Sequence, residues 1–156
     1  MEISLSSLKA AHAILMDGAP FLRQRSVEIE KFDDDLAALV RHMIEIVQAR
    51  RARGLAAIQI GVPVRVIVAT ADGKGLAMVN PVITRTLNRF AVEMEGCLSV
   101  PPSQWRKVSR PAKCEIEWQD IIGNRHAEGF SGAWARVLQH EIDHLDGTLI
   151  TDREPA

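Results

Sequence analysis

Apolar positions along this chain form one helical period, then alternating runs, then a second helical period. Leu36, Leu39, Val40, Met43 and Val47 recur at i, i+3, i+4, i+7 and i+11, the spacing of one face of an α-helix. Asp33-Asp34-Asp35 precedes them, and aspartates there cap a helix and suit its positive end. Together they predict a helix over 34–50. Arg50, Arg51 and Arg53 follow it. Cations suit the negative end of the helix dipole, and with no aromatic residues between them they read as a solvated terminus rather than a nucleic-acid patch. Upstream, the one clear signal in the first thirty residues is a turn at Asp17-Gly18-Ala19-Pro20.

The middle of the chain reads as strands. Arg65-Val66-Ile67-Val68-Ala69-Thr70 is β-branched and bounded by Pro63 and Asp72-Gly73. A second strand over 76–83 makes residues 71–75 a hairpin loop. Cys114-Glu115-Ile116-Glu117-Trp118 alternates as a half-buried strand does. Ile122-Gly123-Asn124-Arg125 then turns toward a short strand over 125–130. The last helix starts near Ser131, an N-cap, and stops at Gly147, a C′ residue. A helix after a run of strands predicts an α+β fold.

Composition narrows the class. At 156 residues the chain has the size of one domain, read as 1–156, and 47% hydrophobic with 25% charged residues is ordinary for a globular protein. A net charge of −1, from 19 basic and 20 acidic residues, gives no overall field toward nucleic acid or membranes. Two cysteines make no disulfide framework. Glu2 and the short apolar stretch from Ala10 to Met16, broken by His12, argue against a secretory leader, and no run is long enough to span a membrane. A cytoplasmic location is expected.

The candidate chemistry lies on the second helix. His140-Glu141-Ile142-Asp143-His144 fits H-E-x-x-H, in which two imidazoles four residues apart reach one metal and the glutamate acts on water. On a wheel of about 100° per residue, His140, His144 and Glu141 adjoin the apolar face with Val137, Trp134, Leu138 and Leu145. Arg136, Gln139, Asp143 and Asp146 fall on the opposite, polar arc. A histidine pair bonded inside a core is the plainer alternative. Two histidines are one ligand short of a catalytic site. Cys97, in Glu95-Gly96-Cys97-Leu98-Ser99, is the candidate third. It also reads as buried core, or as a nucleophile paired with a histidine. Cys114 reads as core. In Gly54-Leu55-Ala56-Ala57-Ile58-Gln59-Ile60-Gly61, small residues permit close backbone approach and Gln59 is an isolated amide.

These three segments, in this order and spacing, resemble the signature motifs of the peptide deformylases. The first is Gly54 to Gln59, the second Glu95 to Ser99, and the third Gln139 to His144. The resemblance implies an α+β fold in which antiparallel sheets enclose the H-E-x-x-H helix. It implies removal of the formyl group from the formyl-methionine of nascent polypeptides, with release of formate. By position, Cys97, His140 and His144 are then the metal ligands and Glu141 the general base and acid. Gln59 and the Leu98 backbone N–H bind the formyl oxygen, and Gly54 contacts the substrate backbone. Val137 and Trp134 line the methionine pocket by their helix positions. The metal implied is one divalent ion, Fe(II) in the cell, with Zn(II), Ni(II) or Co(II) in purified protein. The partners implied are an N-formylated peptide and, transiently, the ribosome.

The chain departs from the family at several points. Ala52 stands where a glycine is usual, and Ile58 where proline is frequent. Pro101 to Lys107 is unusual, with Arg106 the candidate for a substrate-contacting arginine and Trp105 set to shape the mouth of the site. The short stretch after His144 lacks the long helix some members use at the ribosome. Alternatives are a divergent relative acting on another N-formyl substrate, a non-catalytic metal-binding relative, and, from H-E-x-x-H alone, a metallopeptidase.

Overall fold

A computed structural model describes residues 13–156; residues 1–12, with Glu2 and His12, lie outside the described residues. Helix α1 spans Asp34–Arg50, and the Asp33 carboxylate accepts a hydrogen bond from the Leu36 N–H at 3.1 Å as its N-cap. Arg51 closes the helix in the left-handed conformation, at φ 51°. Seven strands follow: β1 (Gly54–Ala56), β2 (Val66–Ala71), β3 (Lys74–Thr86), β4 (Phe90–Glu95), β5 (Arg106–Pro111), β6 (Lys113–Gln119) and β7 (Arg125–Ser131). Helix α2 then runs over Gly132–Leu145.

The strands form an antiparallel five-stranded sheet, ordered β1-β2-β3-β6-β7, and a separate two-stranded ribbon, β4-β5. The fold is α+β, as its composition of elements requires. The two helices pack on opposite faces of the large sheet. Val66 and Val68 of β2 join the cluster beneath α1, with Leu36, Leu39 and Met43. Ile67 and Ala69, pointing the other way, join the cluster beneath α2, with Leu138, Ile142 and Leu145. The unbroken apolar run of β2 is thus a strand buried on both faces. No helix among the described residues is long and apolar enough to cross a membrane.

Three strands carry no sequence signal. β1 is three residues long. In β4 the usual polarity is inverted: Phe90, Val92 and Met94 are more than half exposed, while Glu95 is buried. In β5 the most deeply buried side chains are Val108 and Arg110. The ribbon turns polar groups inward because it covers the polar arc of α2. Arg136 and Gln139, expected on the solvent side, are buried there. So α2 is enclosed all round, by the large sheet on its apolar side and by the ribbon on its polar side.

The end of α2 follows the predicted glycine stop. Ser131 occupies the N-cap position, but its side chain makes no capping bond. Gly147 has φ 77°, and a Cβ there would overlap the Arg23 carbonyl oxygen. Gly73, in the β2–β3 turn, has a similar φ of 74° with nothing within 4 Å of its Cβ position. Gly73→Ala should therefore cost only left-handed strain, about 1 kcal/mol. Gly147→Ala should cost about 2–4 kcal/mol, because backbone must also move. Urea unfolding of the two variants measures the difference; equal losses would mean that the Arg23 segment yields freely.

Candidate metal centre and active site

Two distant stretches of chain meet beneath the ribbon. Cys97 follows β4, and His140 and His144 lie one turn apart on α2. One ligand atom from each lies within 4.8 Å of the other two, and all three residues are buried. Cys97 Sγ is 3.4 Å from His144 Nε2. The imidazoles meet edge-on, with centroids 5.1 Å apart. Glu141 stands beside them, its Oε1 3.9 Å from His140 Nε2. Its Oε2 is buried and has no hydrogen-bond partner among the described residues. A thiol, two imidazoles and a spare carboxylate oxygen form a donor set that fits a divalent transition metal and its water.

The electrostatics agree with that donor set. Burial by itself would lower the His140 pKa, but the negative charge of Glu141 and bonds to Cys97 and Glu95 push it up to about 10. The site thus attracts positive charge onto His140. Burial, together with the positive charge of His140 and Arg110, holds His144 well below its usual range, in the neutral form that ligates. Burial pushes Glu141 up to about 7, against the pull of His140 and Arg110. Cys114 sits in strand β6, and burial raises its thiol to about 11, so it is inert core, as expected.

His140 is aimed by a buried carboxylate. Its Nδ1–H donates to Glu95 Oε1 at 2.9 Å, which turns Nε2 toward Cys97 and Glu141. Arg110 grips both Glu95 oxygens, from Nε at 2.5 Å and from Nη2 at 2.8 Å. Arg136 Nη1 donates to the same carboxylate at 2.6 Å. Burial alone would raise the Glu95 pKa, but Arg110 and His140 hold it well below the carboxylate range. The third Arg110 nitrogen reaches Asp143 at 2.9 Å, and Arg153 clasps Asp143 from the far side. Sequence reasoning missed Glu95, Arg110 and Arg136 in this role. The one available signal was chemical: a metal-binding histidine passes its other N–H to a carboxylate or carbonyl, and Glu95 lies two residues before Cys97.

Gln59 and Gly54 serve the same centre from the opposite side. Gln59 Oε1 accepts from the Ala56 N–H at 2.9 Å. Its amide donates to Ser99 Oγ at 3.0 Å and points at Cys97 Sγ, 3.6 Å away. A Cβ on Gly54 would lie 2.7 Å from Glu141 Oε1, so the missing side chain is the space that Glu141 fills. Gly96 plays a similar part for Trp105, whose ring would be 2.9 Å from a Cβ there. Trp105 anchors its indole N–H on the Val100 carbonyl at 2.9 Å.

A cavity of about 740 Å³ opens over this centre. Gly54, Gln59, Cys97, Leu98, Val137, His140 and Glu141 line it, with Trp105 among the exposed lining residues. Trp134 does not line it. Its ring packs on Phe130 instead, with centroids 6.3 Å apart. The helical wheel gives its angle correctly but not its height: Trp134 lies about two turns before Glu141, and helix side chains lean further toward the N-terminus. Arg106 is also outside the cavity, donating to the Gln104 and Arg153 carbonyls. Arg50, Arg51 and Arg53, expected as a plain solvated helix end, line the cavity.

Comparison with known proteins gives one answer. Residues 11–155 match the polypeptide deformylase family. The chain is 41% identical over 148 residues to the peptide deformylase of Phenylobacterium zucineum, covering 92% of this chain and 87% of that one. Among solved structures, that of the Thermotoga maritima peptide deformylase superposes with a TM-score of 0.88 at 36% identity, over 92% of this chain and 97% of the other. The Acinetobacter baumannii peptide deformylase bound to Met-Ala-Ser gives 0.87 at 27% identity, over 90% of this chain and 96% of that one.

Glu95→Gln should remove the charge that Arg110 and Arg136 surround. Leaving buried cations unpaired costs about 3–5 kcal/mol, and loosening a metal-binding histidine costs about 10–100-fold in metal affinity. Urea unfolding and competition with a metal-binding dye read the two effects. A variant of native stability and affinity would show that the cluster is dispensable.

Proposed function

The chain belongs to the polypeptide deformylase family, and we propose that Cys97, His140 and His144 are its metal ligands, with Glu141 as general base and acid. It is a metal-dependent hydrolase that removes the formyl group from the N-terminal formyl-methionine of nascent polypeptides. The observation that carries the residue assignment is the convergence of one sulfur and two imidazoles, within 4.8 Å, on the buried face where Glu141 lies.

A divalent ion held by these ligands supplies Lewis acidity and makes water a nucleophile near neutral pH. Glu141, pushed up to about 7 by burial, takes a proton from the water that adds to the formyl carbon. It then delivers that proton to the amine as the C–N bond breaks, leaving formate and a free N-terminus. General acid–base catalysis needs such a carboxyl within reach of the proton it moves. Charge building on the formyl oxygen is met by the Leu98 backbone N–H and the Gln59 amide. Gln59 makes this bond by turning one donor from Cys97 Sγ or Ser99 Oγ, its present partners. Each such donor is worth about 2.7–4 kcal/mol in the transition state.

Gly54 leaves room for Glu141 and contacts the substrate backbone, and Val137 receives the methionine side chain on the cavity wall. Support for the substrate comes from the related Acinetobacter enzyme, which binds Met-Ala-Ser. The ligand set accepts several metals; our reading is Fe(II) in the cell, replaced by Zn(II), Ni(II) or Co(II) on purification. In this proposal residues 1–156 form one catalytic domain that works in the cytoplasm and meets the ribosome transiently.

Formate release from a formyl-Met peptide under anaerobic conditions, with metal analysis of the same sample, tests the assignment. Cys97→Ser should lose most bound metal, whereas Cys114→Ser keeps it. Glu141→Ala should keep metal and lose turnover. Full metal in Cys97→Ser removes the sulfur ligand, and an active Glu141→Ala places the base elsewhere.

A further inference from the structure

The cavity is not electrically neutral at its rim. Arg50, Arg51 and Arg53 line it and are exposed. Among the described residues, none of the three guanidinium groups has a hydrogen-bond or ion-pair partner. Among the described residues, the only exposed carboxylate lining the same cavity is Asp72, in the β2–β3 turn. Three cations against one anion stand at this mouth, on a chain whose total charge is −1.

Their backbone is fixed. The Arg51 N–H bonds to the Gln48 carbonyl at 3.2 Å, and the Ala52 N–H to the Val47 carbonyl at 3.0 Å. The Arg53 carbonyl accepts from the Thr70 N–H at 2.6 Å. Arg51 holds a left-handed conformation, φ 51°, where glycine is the residue of least strain. A long cation therefore stands at a position where its backbone is disfavoured, beside a cleft.

The order along the chain relates these cations to the reacting end. Gly54 lies against Glu141, Arg53 immediately precedes Gly54, and β1 is the edge strand of its sheet. A peptide whose formyl end is at Glu141 and whose backbone follows β1 outward passes Arg53 first and then the helix end. Each of its residues advances about 3.3–3.6 Å, so the long arginine side chains reach the first few residues after the methionine.

We propose that Arg50, Arg51 and Arg53 recognise carboxylate side chains in the residues that follow the formyl-methionine, making acidic N-termini preferred substrates. The proposal rests on the deformylase reading of the site. A cleft walled by Ala52, Leu98, Met94 and Val137 strengthens the field of such charges over that of a flat surface. The concave position, opening over Glu141, favours a peptide over the phosphates of an RNA.

The test compares kcat/KM for formyl-Met-Ala-Glu-Glu and formyl-Met-Ala-Gln-Gln on the metal-loaded enzyme. The acidic peptide should lead by about three- to tenfold at low ionic strength, less as salt is added. In the triple variant Arg50→Gln, Arg51→Gln, Arg53→Gln the ratio should fall to about one, whatever the absolute rates; Asp72→Asn should raise it. A ratio near one in the native enzyme, or one untouched by the triple variant, overturns the proposal. An untouched ratio with weakened sedimentation on ribosomes overturns it in favour of RNA phosphate. If neither peptide yields formate, the deformylase reading fails. Calorimetric binding of the same peptides then decides the rim: tighter binding of the acidic peptide, lost in the triple variant, supports it, and equal affinity overturns it.

Discussion

The carboxylate of Glu95 is the contact on which the rest of the site depends. Three groups converge on it, two arginines from different elements and one ring nitrogen of His140, and Arg110 extends the cluster to the Asp143–Arg153 pair. Each partner alone would be a poor choice for a protein interior, because burying a charge is costly. Together they tie the ribbon to α2 by charge where a usual fold would use apolar contact. They also fix the orientation of an imidazole. The same atoms therefore join two layers of the fold and orient one imidazole of the candidate metal site.

That arrangement explains why some of the structure was legible in the sequence and some was not. Helix α1 and strand β6 bury apolar side chains at regular intervals, so period reveals them, while β2 shows as a β-branched run between turn residues, with β3 as its hairpin partner. The β4–β5 ribbon buries Glu95 and Arg110 and exposes Phe90, Val92 and Met94. Any reading that equates apolar with inside passes over it. Arg136 misleads for the same reason, since its place on the polar arc of α2 is correct while the expected solvent there is another sheet.

The candidate site was legible where chemistry is tied to spacing. Two histidines one turn apart with a glutamate between them carry their geometry in the sequence. Cys97 stood as a candidate third ligand among alternatives and Gln59 as an isolated amide, and only resemblance chose a role for each, because their distance from α2 is closed only by the fold. The first described residues supply part of that closure: the Leu15 N–H bonds to the Gln59 carbonyl at 2.8 Å, and the Asp17 N–H to the Ser99 carbonyl at 2.6 Å. This segment splints the first two motifs, yet its own sequence offers only a turn. Trp134 marks the opposite limit, since a wheel reports angle and discards height.

Gly54 invites a wider thought about how intolerance to substitution is interpreted. The α-hydrogen that stands in place of its side chain faces the Glu141 carboxyl group. Any larger residue there would displace the Glu141 side chain before an incoming peptide had a chance to collide with it. A scan of replacements at this position would therefore report dead enzyme and say nothing about which ligand the groove admits, because the invariant being protected is the resting place of a neighbour.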